Sequence, residues 1–397
     1  MNKYFRIQDL DLRGKKVLLR ADLNTPLDKK TGNISDDTRL RETLPTIQYL
    51  IKNKAITIIM CHLGRPDGKV IESLRTNKIA MRLGDLLGKQ VHYVDDCIGA
   101  KVKKAVAGLK QGDVILLENL RFYAEEEENN AVFSRELAEI ADLYVDDAFG
   151  AAHRAHASVV GVTNHLKSAA GFLLQKELDI MGKALENPER PFIAIMGGLK
   201  VSDKIKAIEN LLKKVDKLLI VGAMAFTFFA AKGFKIGNSF VEKDSIPLAK
   251  KLLKNDKIVL PYDTTVAKKF DADAESKIVL SSEIPDGWEG LDIGPETASQ
   301  YFKIIKNAKT VIWNGPAGVA EWKRFAKGSE EIAKAVGSVK GTTIIGGGET
   351  AALIKNLDLK VTHVSTGGGA SLEFLEGKKL PAVLALEENY KKYSWFF

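Results

Sequence analysis

Short apolar runs, each closed by a polar or glycine-rich turn, recur along the whole chain and alternate with amphipathic stretches of helical periodicity. This alternation is typical of β–α–β units, in which helices connect the strands of a parallel sheet. At 397 residues, the chain exceeds the length at which a single core usually stops growing. The sequence therefore predicts an α/β protein with two Rossmann-like lobes, each a parallel sheet flanked by helices.

The periodicity also predicts individual elements and a connection between the lobes. Helices are predicted in the first half at Leu40–Asn53, Ile79–Leu87, Gly99–Leu109 and Ser134–Ala141. In the second half, strands are predicted at 191–196, 217–221, 257–260, 310–313, 342–345 and 362–365, and helices at 201–214 and 223–232. The amphipathic stretch 166–186 is the candidate linking helix, so we expect lobes at 1–168 and 191–379 joined by a hinge at 169–190. The acidic run Glu125–Glu128 is predicted to be a solvent-exposed helix start.

Composition excludes several classes of protein. No apolar stretch has the length of a membrane span, and the charged N-terminus has no apolar signal region, so we expect a cytoplasmic protein. Cys61 and Cys97 lack metal-binding spacing and are too few for a disulfide framework. The net charge of +8 comes largely from lysines scattered through helical stretches, without interleaved aromatic residues. This pattern favours small anionic substrates over a specific nucleic acid or a membrane.

Cationic side chains lie at or next to the ends of the strand-like runs of the first half. These are Arg20, Arg39, Arg65, Arg121 and Arg154, together with His62. In open parallel sheets, ligands bind beyond the carboxyl ends of the strands, and guanidinium groups recognise anions by paired hydrogen bonds. The first half is therefore predicted to bind an anionic substrate. His153 and His156 are either further anion donors or structural histidines.

Glycine turns end the runs of the second half. They lie at Gly197–Lys200, Gly222, Asn314–Gly318, Gly346–Thr350 and Gly367–Ser371. Glycine turns that lead into helices expose backbone N–H groups, which bind phosphates. Lys200 and Lys204 are four residues apart and fall on one helical face. This half is predicted to bind a polyphosphate, with Glu321 near ribose hydroxyls and an apolar loop at 287–295 against a purine.

Other interpretations of these patterns remain open. Gly346, Gly348 and Ala351 match a dinucleotide fingerprint, but no acidic residue follows at the end of the next strand, which disfavours a nicotinamide dehydrogenase. A polyanion-binding module would explain the basic charge but not the glycine turns. Glu349 is either a Mg²⁺ ligand or an acidic residue favoured by the helix dipole.

Nine segments carry a resemblance to one known family. They are RADLNTP (20–26), HLGRP (62–66), LLENLRF (116–122), DAFGAAHRAHAS (147–158), KVSDKI (200–205), MAFTF (224–228), GLDIGP (290–295), WNGP (313–316) and STGGGASLEFLEGK (365–378). Together they resemble the phosphoglycerate kinases, from about Lys16 to Pro381. The resemblance implies reversible, Mg²⁺-dependent phosphoryl transfer between 1,3-bisphosphoglycerate and ADP. It also implies a monomer whose lobes close about the hinge and whose tail, 380–397, packs on the first lobe.

The resemblance also implies a role for individual residues. Those implied to bind phosphoglycerate are Asp22, Leu23, Asn24, Arg39, His62, Leu63, Gly64, Arg65, Arg121 and Arg154. Those implied to bind the nucleotide are Gly198, Lys204, Gly222, Gly290, Asn314, Pro316, Glu321, Gly347, Gly348, Glu349 and Thr350. Catalysis is assigned to Arg39, Lys200 and Lys204, with the helix start at Gly367, Gly368 and Gly369 stabilising the phosphoryl group.

Three positions depart from the usual pattern of the family. Glu349 replaces a usual aspartate at the magnesium turn, Leu199 replaces a usual alanine, and Ala320 replaces a usual phenylalanine. The longer side chain of Glu349 is expected to serve as a Mg²⁺ ligand directly or through water and to change the Mg²⁺ requirement.

Overall fold

The chain divides into two compact units in the computed structural model, which describes residues 4–28 and 30–394. The first unit comprises Met1–Asp179 and Lys379–Phe397, and the second comprises Ile180–Lys378. The division falls within the predicted linking segment 169–190. No helix in the described part of the chain is both long and apolar enough to cross a membrane.

A seven-stranded sheet, parallel throughout, forms the centre of the first unit. Its strands are β1 (Phe5–Arg6), β2 (Lys16–Arg20), β3 (Ile56–Met60), β4 (Val91–Tyr93), β5 (Val114–Leu116), β6 (Leu143–Asp146) and β7 (Lys167–Ala170). The strand order is β1-β7-β6-β2-β3-β5-β4. The carboxyl ends of β2, β3, β5 and β6 are therefore neighbours at one edge of the sheet.

Helices cover both faces of this sheet. They are α1 (Thr38–Lys52), α2 (Asn77–Leu87), α3 (Gly99–Ala107), α4 (Ala124–Glu127) and α5 (Ala131–Ala138). Because side chains alternate along a strand, Leu19 packs in one core cluster with α1 and α2, while Leu18 packs in another with α3 and α5. Burial on both faces explains why these strands are continuous apolar runs.

The second unit contains a six-stranded parallel sheet and two smaller sheets. Its strands are β8 (Phe192–Met196), β9 (Lys217–Ile220), β10 (Lys235–Ile236), β11 (Ile258–Val259), β12 (Asp263–Ala267), β13 (Ser276–Leu280), β14 (Glu283–Ile284), β15 (Glu289–Ile293), β16 (Thr310–Asn314), β17 (Thr342–Gly346) and β18 (His363–Val364). The large sheet has the order β11-β9-β8-β16-β17-β18. Strands β13-β12-β15 form an antiparallel sheet, and β10 pairs with β14.

The remaining helices begin at the boundary between the units. They are α6 (Phe172–Glu186), α7 (Ile205–Leu212), α8 (Met224–Ala231), α9 (Ile246–Leu252), α10 (Pro295–Lys306), α11 (Lys327–Gly337), α12 (Gly348–Asn356), α13 (Gly369–Leu375) and α14 (Pro381–Tyr393). Helix α6 contains the residues at which the two units divide. The predicted fold class, two units with helix-flanked parallel sheets, is confirmed.

Four of the local predictions are wrong. Lys200 and Lys204 do not share a helical face, because α7 begins only at Ile205. The stretch 166–186 is not one helix, because residues 167–170 form strand β7. Helix α6 begins after this strand, and the Asp147 carboxyl group accepts the N–H groups of Leu173 and Leu174 in its first turn. The apolar loop expected at 287–295 contains strand β15. The acidic run is not wholly solvated, because Glu126 is completely buried.

Helix α14 packs on the first unit through backbone and side-chain contacts. The Ala382 N–H donates to the Ala152 carbonyl at 3.1 Å. Asn389 accepts the Ser168 N–H at 2.9 Å and donates to the Thr163 carbonyl at 2.6 Å. The last three residues of the predicted tail, 395–397, lie outside the described residues.

Candidate functional site

The basic residues of the first unit follow the neighbouring strands β2, β3, β5 and β6. Asp22 and Asn24 follow β2, His62 to Arg65 follow β3, and Arg121 follows β5. Arg154 lies beyond β6, and Arg39 comes from the first turn of α1. The parallel topology thus brings residues that are far apart in sequence to one edge of the sheet.

Asp22 and Arg39 form an ion pair at this edge. The Asp22 carboxylate is 4% exposed, and it lies against Gly150 so closely that a Cβ atom there would overlap it. A glycine is therefore required at position 150 for the pair to form. Arg39 is half-buried, and a guanidinium group has five N–H donors, so it retains donors for a ligand.

The turn after β3 is held by two asparagines. Asn24 accepts the Gly64 N–H at 2.9 Å. Asn119 accepts the Leu63 N–H at 3.1 Å and donates to the Leu63 carbonyl at 2.7 Å. Gly64 has a φ of +64°, which favours glycine. The side chains of Leu23 and Leu63 belong to the core, so only their backbone groups are suited to contact a polar ligand.

Two further arginines share the carboxylate of Glu127. Arg121 Nε lies 3.0 Å from Glu127 Oε1, and Arg154 Nη1 lies 3.7 Å from the same oxygen. Arg121 also donates to the Gly64 carbonyl at 2.8 Å, which joins it to the turn after β3. Arg65 is exposed and forms no hydrogen bond or ion pair within residues 4–28 and 30–394.

His62 is a neutral member of this basic cluster. Burial lowers its pKa well below the usual value, and the positive charges of Arg20, Arg121, Arg39 and Arg154 lower it further. Arg20 differs from the other arginines because it is only 1% exposed and bonds within the protein. It is therefore suited to support the site rather than to bind a ligand.

A cavity of about 300 Å³ lies beyond the strand ends of the second unit. Six of the predicted nucleotide residues line it: Gly198, Gly222, Gly290, Pro316, Glu321 and Glu349. The apolar part of its wall was not predicted residue by residue. This part includes Phe226, Phe229, Phe240, Pro261, Phe270 and Leu291. A cavity with apolar walls and a polar edge matches the needs of a purine nucleotide.

The glycines of this unit allow strand-end turns to pack backbone against backbone. Gly315 has a φ of +96°, and a Cβ atom there would overlap the Gly197 carbonyl. The Gly222 N–H donates to the Ala317 carbonyl at 3.1 Å. Larger residues at positions 197 and 315 would separate the turns and change the cavity wall.

Lys204 and Asn314 do not line the cavity, but Lys204 lies next to Gly198, which does. Lys204 Nζ donates to the side-chain oxygen of Asn314 and, at 3.2 Å, to its carbonyl. Burial lowers the pKa of Lys204 to about 8, while Glu349 and Asp203 act in the opposite direction. Lys204 therefore remains mostly protonated at neutral pH and carries a charge that a phosphate can pair with.

The other predicted groups lie at helix starts. Gly347 has a φ of +88° and caps α12, whose first turn contains Glu349. Thr350 accepts the Gly315 N–H at 3.0 Å, which connects α12 to the turn after β16. Gly367, Gly368 and Gly369 lie at the start of α13, and Lys200 is exposed after β8.

Several supporting residues were not identified from the sequence. Asn119 lies inside the motif LLENLRF, where an asparagine after a strand was the available signal. Ser158 ends the segment DAFGAAHRAHAS and Glu126 lies in the acidic run, but no pattern there marks either residue as a supporting group. Asp292 lines the cavity of the second unit with its carboxylate against Gly318, and burial raises its pKa to about 7.

Comparisons with known proteins agree on one family. The family model for phosphoglycerate kinase matches residues 7–378. The chain is 55% identical to the phosphoglycerate kinase of Moorella thermoacetica over 390 residues, which cover 96% of this chain and 99% of that protein. It is 54% identical to the chloroplastic phosphoglycerate kinase of Volvox carteri, over 96% of this chain and 84% of that one.

Solved structures give the same result. Phosphoglycerate kinase from Coxiella burnetii has a TM-score of 0.88 and 39% identity, and the match covers 97% of this chain and 99% of that one. The enzyme from Pyrococcus horikoshii OT3 also has a TM-score of 0.88, with 35% identity over 98% and 100% of the two chains. With motifs, sequence and fold in agreement, the chain belongs to the phosphoglycerate kinase family.

Proposed function

We propose that the basic cluster of the first unit binds the phosphoglycerate substrate in the family's reaction, the reversible transfer of a phosphoryl group from 1,3-bisphosphoglycerate to ADP. Arg39, Arg65, Arg121 and Arg154 supply charge, and His62 supplies a neutral hydrogen-bond donor. The support is that these residues follow neighbouring strands at the carboxyl edge of one parallel sheet, where Asp22 pairs with Arg39, and Glu127 pairs with Arg121 and Arg154.

The nucleotide binds in the cavity of the second unit. The base lies against the apolar wall that contains Phe226 and Leu291, and the ribose lies near Glu321. The phosphates meet Lys204 and the backbone N–H groups of the first turn of α12. This assignment is supported by the convergence of six sequence-predicted residues on a single cavity.

Magnesium enters with the nucleotide. No group of three or more His, Cys, Asp or Glu side chains suited to a metal occurs among the described residues. Mg²⁺ typically uses one or two carboxylates plus phosphate oxygens, and the exposed carboxylate of Glu349 lines the cavity, so the residues fit this mode of binding. The ion would neutralise charge on the phosphates.

The side chains present suit a transfer that needs no general base. In the ATP-consuming direction the nucleophile is a carboxylate, which is already ionised at neutral pH. Catalysis then depends on orienting the substrates and on stabilising charge on the transferred group. Arg39 and Lys200 are proposed to supply that positive charge, together with Lys204 and the helix start at Gly367 to Gly369.

The protein is also proposed to act as a cytoplasmic monomer. Cys61 and Cys97 are free thiols in the core, which agrees with a reducing compartment. Light scattering in the presence and absence of substrates measures the oligomeric state, and a stable dimer would contradict this part of the proposal.

Two arginines of α1 provide a matched test of the proposed function. Arg39 pairs with the buried Asp22, whereas Arg41 pairs with Asp37 on the surface. In a coupled assay of ATP-dependent phosphorylation of 3-phosphoglycerate, Arg39→Met should lower kcat/KM at least about a hundredfold, since a single charge-stabilising donor is worth that much. Arg41→Met should behave as wild type. Equal activity of the two variants would refute the assignment, and an inactive wild-type protein would refute the function.

A further inference from the structure

Buried side chains connect a carboxylate in α4 to the ring of His62. Glu126, Ser158 and Arg20 are each no more than 1% exposed. Glu126 Oε1 lies 2.5 Å from Ser158 Oγ, and Ser158 Oγ lies 2.8 Å from Arg20 Nε. Arg20 Nη2 lies 3.1 Å from His62 Nδ1. All three distances are within hydrogen-bonding range, so the four side chains form one continuous network.

Arg20 sets the direction of the hydrogen bonds in this network. A guanidinium group only donates, so Arg20 donates to Ser158 Oγ and to His62 Nδ1. Ser158 Oγ accepts a hydrogen bond from Arg20, and its single hydroxyl proton is directed to Glu126 Oε1. Glu126 Oε2 accepts the Ser158 N–H at 2.9 Å, so both carboxylate oxygens act as acceptors. Burial raises the pKa of Glu126, whereas the charge of Arg20 and the two hydrogen bonds from Ser158 favour the ionised carboxylate, which balances the charge of Arg20.

The tautomer of His62 follows from this direction. Because Nδ1 accepts a hydrogen bond from Arg20, the proton of a neutral imidazole lies on Nε2. The ring is kept neutral by burial and by the surrounding positive charges, which come from β2, α1 and the segments after β5 and β6. The Nε2–H group is then the only donor of the ring.

We propose that Glu126, Ser158 and Arg20 are positioning residues that hold His62 as the neutral Nε2–H tautomer, the form that donates a hydrogen bond to the phosphoglycerate substrate. The inference rests on the proposed role of His62 in substrate binding. It gives Arg20 a different task from Arg39, Arg121 and Arg154, because its donors are used inside the protein.

Nearby histidines do not compete for this role. His156 Nδ1 lies 3.7 Å from Glu126 Oε1, beyond hydrogen-bonding distance. Burial lowers the pKa of His156 to about 3, so it stays neutral and does not draw the negative charge of Glu126 away from Arg20. The Glu126 carboxylate thus remains directed at Ser158.

The tautomer can be measured in the unmodified protein. Long-range ¹H–¹⁵N spectra of the full chain distinguish the two neutral forms and the protonated form of each of its six histidines. The signal that disappears in His62→Gln identifies His62. We expect the Nε2–H tautomer alone from pH 6 to pH 8 without substrate. A protonated ring or an Nδ1–H tautomer would overturn the proposal, whatever the activity of the protein.

A variant tests whether the network sets this state. Ser158→Ala removes the hydroxyl that joins Glu126 to Arg20, so an Nδ1–H or protonated population of His62 should appear. One lost hydrogen bond should raise the KM for 3-phosphoglycerate about threefold to tenfold, with the KM for ATP unchanged. Ser168→Ala is the matched control, because Ser168 is also fully buried and donates to a backbone carbonyl.

These measurements separate the two proposals. If Ser158→Ala keeps the wild-type tautomer and the wild-type KM, the network does not position His62 and the inference is wrong. If wild-type protein fails to bind 3-phosphoglycerate while His62 remains in the Nε2–H form, the network stands and the proposed function fails. A fall in activity without a change of tautomer would also overturn the inference, since it would indicate general structural damage.

Discussion

The position of Lys204 next to the proposed nucleotide cavity predicts a specific pH dependence of nucleotide affinity. Burial lowers the pKa of Lys204 from 10.5 to about 8 in the protein without ligand. A bound polyphosphate places negative charge next to the ammonium group and raises this pKa again. ADP therefore binds more tightly when Lys204 is protonated, and its affinity should fall as the pH rises through 8.

The size of this effect follows from the protonated fraction. With a pKa of about 8, roughly nine-tenths of the Lys204 side chains are protonated at pH 7 and roughly one-tenth at pH 9. For a pKa well above 9 in the complex, the Kd of ADP should rise about tenfold over this interval. ADP binding near pH 8 should also be accompanied by proton uptake.

Titration calorimetry at pH 7, 8 and 9, at saturating Mg²⁺ and in buffers of different ionisation enthalpy, measures both quantities. Lys204→Arg should flatten the profile, because a guanidinium group stays charged throughout. Lys206→Arg, an exposed position in α7, should keep the wild-type profile. A wild-type Kd that is constant from pH 7 to pH 9, or an equal change in Lys204→Arg, would refute this reasoning.

Two further predictions concern buried and exposed carboxyl groups. Burial raises the pKa of Asp147 to about 7, above its unfolded value of 3.8, so the folded state keeps a proton that the unfolded state loses. This stabilisation is fully present below about pH 4 and is lost as the pH rises through 7. The melting temperature should therefore fall less between pH 5 and pH 8 in Asp147→Asn than in the wild-type protein. An equal fall in the two proteins would contradict this expectation. Glu349→Ala should raise the Mg²⁺ concentration for half-maximal rate several-fold, with Glu349→Asp restoring it, because one carboxylate ligand is removed. An unchanged Mg²⁺ dependence in Glu349→Ala would show that this side chain is not a ligand.

The two parallel sheets could be predicted because their strands are buried on both faces. Ile56–Met60 and Phe192–Met196 are buried at every position, and such strands are uninterrupted apolar segments in the sequence. Strand β13 escaped prediction because Ser276–Leu280 is half-exposed and belongs to an antiparallel sheet. Its side chains follow neither a continuous apolar pattern nor a clean alternation.

The candidate site was predictable as a set of residue types but not as a set of contacts. Arg20 and Arg121 both lie at or after strand ends, and nothing in their sequence positions separates them. In the folded protein, however, Arg20 is buried and donates to Ser158, whereas Arg121 forms an ion pair with Glu127. Glu126 and Glu127 are likewise adjacent in an acidic run, yet one is buried against Ser158 and the other is exposed.

The carboxylates within the basic cluster offset the repulsion between its arginines. Arginines that converge without partners would repel one another and lose hydration without compensation. Asp22, Glu126 and Glu127 offset part of this charge and hold the guanidinium groups in place before a ligand arrives, which reduces the cost of ordering them on binding. Five arginines against three carboxylates leave a net charge of +2 with His62 neutral, close to the charge of about −2 on a phosphate group at neutral pH. A protonated His62 would add an unbalanced charge in a buried position. The neutral Nε2–H form instead adds a directed donor without further repulsion, and this is why the proposed network behind His62 matters for binding a substrate that carries a phosphate group.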